Sequence, residues 1–207
     1  AVGVKISRQG IEQRYSPEAA AVLKRVLEAS VERMISANPI NLPILRRFKA
    51  VRIMDSSTIT LPAELANVWW GCGADSGGLK ISVDWDLKSG RLDGPHLADG
   101  RRHDQKLVGE HEVVKPGEVI LRDLGYFNLE TFANLQSQDA YWVSYCKQGT
   151  VITLPDGTLV NELKVLPQKV GGSLDMAINL GKEERLATRL VAVRLPSAVV
   201  RKRRKHL

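Results

Sequence analysis

Two aspartates stand out among the residues able to do chemistry. In "VRIMDSSTITLP", Val51 to Pro62, apolar Val51 and Ile53 alternate with Arg52 and Met54 as far as Asp55, and the hydroxyl residues Ser56, Ser57, Thr58 and Thr60 follow. In "ILRDLGYF" an apolar run from Val119 to Leu121 leads through Arg122 to Asp123, with Gly125 two positions on. Both acids stand where an apolar strand pattern stops, so the pattern places each at a strand end. Two carboxylates on neighbouring strands converge and repel, which is costly unless one is protonated or a cation lies between them. Oxygen ligands of this kind suit Mg²⁺ or Mn²⁺, hard cations that keep several waters and bind substrate phosphate. The reaction that such a site serves is in-line phosphoryl transfer. Strand-end aspartates also cap helices and form turns, and spacing alone leaves that alternative open.

The surrounding pattern supplies the elements that must hold these acids. "SPEAAAVLKRVLEASVERMISAN", residues 16 to 38, predicts a helix with Ser16 as N-cap, Pro17 in the first turn and Glu18 favourable to the helix dipole. Val22, Leu23, Val26, Ala29, Met34 and Ile35 fall near one face, and Asn38-Pro39 ends the run. From Phe48 the period changes to strands: "FKAVRIMD", then a hairpin in which Leu79, Ile81, Val83 and Trp85 alternate and Ser89-Gly90 turns the chain. A short helix over residues 103 to 114, a strand at 118 to 123, a helix capped by Asn128 and a strand at 140 to 146 follow. That order predicts an α/β unit with a mixed sheet. Residues 147 to 195 read differently, with Asp156-Gly157 between β-branched runs and a further β-rich segment, "RLATRLVAVRLP". They predict a small antiparallel subdomain. The expected divisions are a helical segment at 1–47, the mixed-sheet core at 48–146, and a β-rich insertion with a basic tail at 147–207.

Composition narrows the class. The chain has 207 residues, 43% hydrophobic and 26% charged, with no apolar run of the roughly 18 residues that span a bilayer. The opening segment lacks the order of a secretory signal, so a cytoplasmic protein is expected. Cys72 and Cys146 are too few for a disulfide framework or a zinc cluster and are expected to be reduced and half-buried. A net charge of +7 favours polyanionic partners, chiefly nucleic acid. Five of those charges lie in "RKRRKHL" at the end, either a nucleic-acid-binding arm or the polar face of a helix. Arg101, Arg102 and Arg122 are candidate phosphate contacts, with a solvated edge an equal reading. His103-Asp104 reads better as a helix start than as a metal or DNA contact. Trp69-Trp70 reads better as a packed loop than as a base-stacking platform.

"DSSTITLP", "WWGCG", "LKISVDWDLKSGRL", "DGRRHDQ" and "LRDLGYFNLETFANL", in that order, resemble the DDE transposases of bacterial insertion sequences, specifically the insertion-sequence-four family. The resemblance covers roughly Leu45 to Arg204. It implies a ribonuclease H-like mixed sheet with flanking helices, interrupted by a β-rich insertion after the second acid. It assigns Asp55 and Asp123 as catalytic and metal-binding acids, Mg²⁺ or Mn²⁺ as cofactor, and transposon ends and target DNA as partners, with a homo-oligomer as a further expectation. The family's third acid is a glutamate in Y-x-x-R-x-x-x-E-x-x-x-x-x-x-K, and no tyrosine follows Tyr145 here. Glu183 and Glu184 in "GKEER" have the wrong neighbours for that motif. The expectation is therefore a truncated transposase, inactive by itself. The alternative is a non-catalytic DNA-binding or inhibitory fragment, or a decayed reading frame. A ribonuclease H-like nuclease outside the family would need a third carboxylate from Asp86, Asp93 or Asp104.

Overall fold

A computed structural model describes residues 7–37, 42–73, 76–106 and 113–204. The chain divides into two units, Ala1–Tyr126 with Gln138–Ser144, and Phe127–Ser137 with Tyr145–Leu207.

The first unit is built on five strands: β1 (Val51–Leu61), β2 (Gly77–Asp86), β3 (Leu92–Asp99), β4 (Val119–Arg122) and β5 (Tyr141–Ser144). They lie in the order β3-β2-β1-β4-β5. β1, β2 and β3 pair antiparallel, whereas β4 and β5 run parallel to β1. The antiparallel neighbours β2 and β3 need only the Gly90 turn, where φ is +77° and glycine is favoured. Parallel neighbours need crossovers, and a helix at Leu129–Ser137 lies in the one between β4 and β5. This is the mixed sheet of a ribonuclease H-like core.

One expectation is corrected here. β1 does not end at Asp55 but runs on through the hydroxyl residues to Leu61, because β2 pairs with it as far as Leu61↔Gly77. The strand that ends beside the acids is β4, at Arg122.

Before β1 come a short helix, α1 (Arg8–Glu12), and a long one, α2 (Pro17–Ala37). Ser16 caps α2 as expected, its Oγ accepting from the amide of Ala19 at 3.2 Å. Of its apolar stripe only Ile35 is buried; Val22, Leu23, Val26 and Met34 are exposed. Around Ile35 the helix approaches the β2–β3 turn closely: a Cβ on Gly90 would meet Ile35 Cβ at 3.1 Å. The expected helix stop at Asn38-Pro39 lies outside the described residues. So do residues 107–112 of the predicted 103–114 helix, of which 104–106 are helical.

The second unit holds the Leu129–Ser137 helix, capped by Asn128 Oδ1 accepting from the amide of Thr131 at 2.8 Å. Phe132 of that helix is fully buried and meets Phe127 edge to face at 5.4 Å. An antiparallel sheet of β6 (Ile152–Thr153), β7 (Ser173–Leu180) and β8 (Leu186–Val193) follows, in that order. The Asp156-Gly157 turn forms, with Gly157 at φ +89° and Asp156 Oδ1 accepting from the amide of Thr158. Glu183 and Glu184 lie in the β7–β8 turn. The basic tail is helical over Ser197–Arg204, in line with the helix-face reading.

Candidate functional site

The parallel register sets the geometry of the two acids. β1 and β4 pair at Val51↔Val119, Arg52↔Ile120, Ile53↔Leu121 and Met54↔Arg122. Asp55 is the next residue within β1, and Asp123 is the next residue after the end of β4. Adjacent strands lie roughly 4.8 Å apart, so two acids level with one another on neighbouring strands can share one small cation. Side-chain alternation along β1 puts Asp55 on the face that carries Ile53 and Leu121. Burial falls along that face: Val51 and Val119 are buried, Ile53 and Leu121 half-buried and Asp55 exposed, as is Asp123 beyond the end of β4. Solvent therefore reaches the acids while the strands beneath them stay packed. Asp55 Oδ1 also accepts from the amide of Ser56 at 2.8 Å.

The opposite face is charged and buried. Arg52 lies under 10% exposed, donating through Nε to Asp84 Oδ1 at 3.1 Å and through Nη1 to Glu118 Oε2 at 3.2 Å, with a second short contact from Nη2 to Asp84 Oδ2. Its Nη1 also reaches the Val113 carbonyl at 2.7 Å. Lys80 of β2 is buried on the same face. Arg122 is buried there too, beside Met54, which rules against its expected role as a surface phosphate contact.

The remaining candidates separate. Arg101 is exposed and stacks on Trp70, its guanidinium carbon 3.6 Å from the ring centroid. Trp70 is itself exposed, so the packed-loop reading fails for it, while Trp69 is half-buried. Arg102 is half-buried and its carbonyl accepts from Lys80 Nζ at 2.5 Å. Both cysteines are exposed, not half-buried, because each lies in a loop. Asp86 caps the β2–β3 turn: it accepts from the amides of Val51, Lys88 and Ser89 and from Ser89 Oγ. Burial pushes its carboxyl up, and these hydrogen bonds outweigh burial and hold it below the ordinary carboxylate range. Asp93 lies 3.7 Å from His96. Asp104 does more than start a helix, since its Oδ1 accepts from Ser56 Oγ and Lys80 Nζ. Nothing in the spacing of the sequence signalled that contact.

Asp55 and Asp123 fit a hard divalent cation in donor chemistry and in openness to water, as two ligands of an incomplete set. Among the described residues no group of three or more His, Cys, Asp or Glu is arranged to hold a metal ion. No described helix is long and apolar enough to cross a membrane.

A mixed sheet in the order β3-β2-β1-β4-β5, with β4 and β5 parallel to β1, is that of a protein of ribonuclease H-like class. The chain belongs to the transposase DDE domain family, whose model matches residues 46–190. Similar curated proteins include the transposase for insertion sequence element IS231F of Bacillus thuringiensis subsp. israelensis, 27% identical over 99% of this chain and 48% of that protein. The transposase for IS231B of Bacillus thuringiensis subsp. berliner is 26% identical, again over 99% of this chain and 48% of its own length. The chain thus spans about half the length of these relatives. A solved piggyBac transposase synaptic complex with hairpin DNA is 11% identical, with a TM-score of 0.32 over 87% of this chain and 44% of that one.

Proposed function

We propose that this chain carries the two-aspartate part of a metal-dependent DNA phosphoryl-transfer site, acting in transposition at insertion-sequence ends. What supports this reading is the register Met54↔Arg122, the residues that immediately precede Asp55 and Asp123. In this reading both carboxylates hold a Mg²⁺ or Mn²⁺ ion, which when bound would activate the attacking oxygen and stabilise the leaving one. Asp55 is fixed from its own strand, which continues in the sheet, and Asp123 from the turn that follows β4. The open end of the face leaves room for a phosphodiester and for the further ligands that a hard cation needs. The basic surplus of the chain favours DNA as the polyanion, with self-association as a further expectation. With two carboxylates, metal binding is weak and the chain alone does not cut DNA.

Calorimetric titration with Mn²⁺ tests the reading, comparing the parent chain with an Asp55→Ala, Asp123→Ala double variant. Binding in the parent that is lost in the double variant is the expected result. Binding that survives in the variant would place the metal elsewhere. No binding in the parent would favour a non-catalytic DNA-binding or inhibitory role, which a salt-dependent preference for end sequences would then reveal.

A further inference from the structure

The β1–β4 ladder stops one residue short of the acids, so something other than β1–β4 pairing must keep them level. Asp104 bonds to Ser56, next to Asp55, and lies close to Gly125, two residues past Asp123. Its Oδ1 accepts from Ser56 Oγ at 2.8 Å and from Lys80 Nζ at 2.7 Å. Its Oδ2 lies where a Cβ on Gly125 would meet it at 3.3 Å. Ser56 follows Asp55, and Gly125 comes two residues after Asp123. By alternation Ser56 points away from Asp55, onto the face that carries Met54 and Lys80. Tyr126 closes the same cluster: it is buried and packs on Met54. Burial raises its phenol above the ordinary range, a Ser56 hydrogen bond opposes this, the Asp104 and Asp55 carboxylates add to it, and Arg122 opposes it. Asp104 is therefore within electrostatic reach of both strand ends.

We infer that Asp104 is a positioning residue, clamping β1 and the turn after β4 from the reverse side of the sheet so that Asp55 and Asp123 stay level beyond the end of their ladder. This rests on the metal-site reading above. Two rival roles fit less well. A helix start would engage Asp104 with its own helix, whereas its Oδ1 is committed to two strands. For a metal-ligand role, Oδ1 is already shared between an ammonium and a hydroxyl, and among the described residues no group of three or more His, Cys, Asp or Glu is arranged to hold a metal ion. Lys80 is largely buried, its side chain 10% exposed, so solvent screens its ion pair with Asp104 far less than a surface pair. A side chain at Gly125 would begin 3.3 Å from Asp104 Oδ2, a tight contact that a small shift of the carboxylate could relieve.

Two variants test it. Asp104→Asn keeps the size and an acceptor for Ser56 but removes the charge that faces Lys80; Ser56→Ala removes one hydroxyl and leaves the ion pair. Amide hydrogen exchange is measured on the metal-free chain, and Mn²⁺ affinity by titration. The expected result in both variants is faster exchange confined to residues 56–58 and 124–126, with Mn²⁺ affinity about tenfold weaker, as when supporting contacts behind metal ligands are removed. Unchanged exchange at those residues overturns the clamp. Faster exchange with Mn²⁺ affinity within about twofold of the parent overturns its positioning role. If Asp104→Asn does not fold, Ser56→Ala decides alone. If the parent binds no Mn²⁺, the metal-site reading falls and the exchange comparison by itself decides the clamp.

Discussion

The five-stranded sheet has two faces that follow opposite rules. On one, Arg52, Lys80, Ser82, Asp84 and Arg122 are buried, although none is apolar. On the other, Val51 and Val119 are buried, but Ile53, Leu79, Ile81, Val83 and Leu121 are only half-buried, and Tyr141 and Val143 on edge strand β5 are more than half exposed. Ordinarily the apolar face of a half-buried strand packs and the polar face meets water. The inversion makes sense through register. Slipping β1 by one residue would turn Arg52 to the other face, away from Asp84 and Glu118, and leave buried charges unpartnered. The charged face thus specifies how β1 aligns with its neighbours. In the proposed reading, correct alignment of β1 and β4 brings the segments that carry Asp55 and Asp123 side by side, and contacts beyond the ladder hold them there. One face fixes the register and the other uses it.

The largest break in this comparison comes at Arg52. Arg52→Ala leaves Asp84 and Glu118 buried without their shared cation, and the expected loss is about 3–5 kcal/mol, read as a lower urea midpoint. Replacing Arg52, Asp84 and Glu118 together by apolar residues of similar volume is expected to cost far less, since no charge is then stranded. If Arg52→Ala costs less than about 1 kcal/mol, the charged face does not set the register.

A smaller effect is expected at Asp86, where the charged face meets the hairpin turn. Its carboxyl is held below the ordinary range in the folded chain, so its contribution is present above the unfolded value of about 3.9 and is lost as pH falls through the lower folded value. Asp86→Asn is expected to cost about 1 kcal/mol at pH 7, a figure reduced by partial exposure to solvent. The gap between parent and variant should close as the urea midpoint is followed from pH 5 downward. A gap that persists or widens in acid would show that the turn is held by packing and not by the ionised carboxylate.

What the sequence disclosed follows the range of the interaction. Ser16, Asn128, Ser89-Gly90 and Asp156-Gly157 act on backbone within a few residues of themselves, and each was legible as a cap or turn. The strand and helix order of the core was legible because periodicity is local too. The extension of β1 to Leu61 was not, since the hydroxyl residues are held in a strand by β2, about twenty residues further on. Nor was the buried charge on Arg52, whose partners lie 32 and 66 residues away. The exposed stripe of α2 and the exposed thiols were hidden for the same reason: amphipathic spacing says which residues share a face but not what covers it. For the candidate site, strand pattern and motif singled out Asp55 and Asp123, and the structure puts the residues just before them in register. The Asp104 contacts were not legible in the sequence, because Ser56 lies 48 residues from Asp104 in the chain.

The finest test of the comparison stays within the open face. Val119 and Val143 belong to adjacent strands, β4 and β5, and the register Val119↔Tyr141 and Leu121↔Val143 puts both valines on the side of the acids. Val119 is 3% exposed and Val143 is 57% exposed. Valine to threonine keeps the shape and adds one hydroxyl, so its cost measures how dry each position is. Val119→Thr should cost about 1–3 kcal/mol. Val143→Thr should fall within about 0.5 kcal/mol of the parent, because its hydroxyl meets water in either state. Equal costs at the two sites, in paired urea titrations, would mean that the acid end of the face is covered as closely as its start. The open approach that the proposed metal site requires would then have to be abandoned.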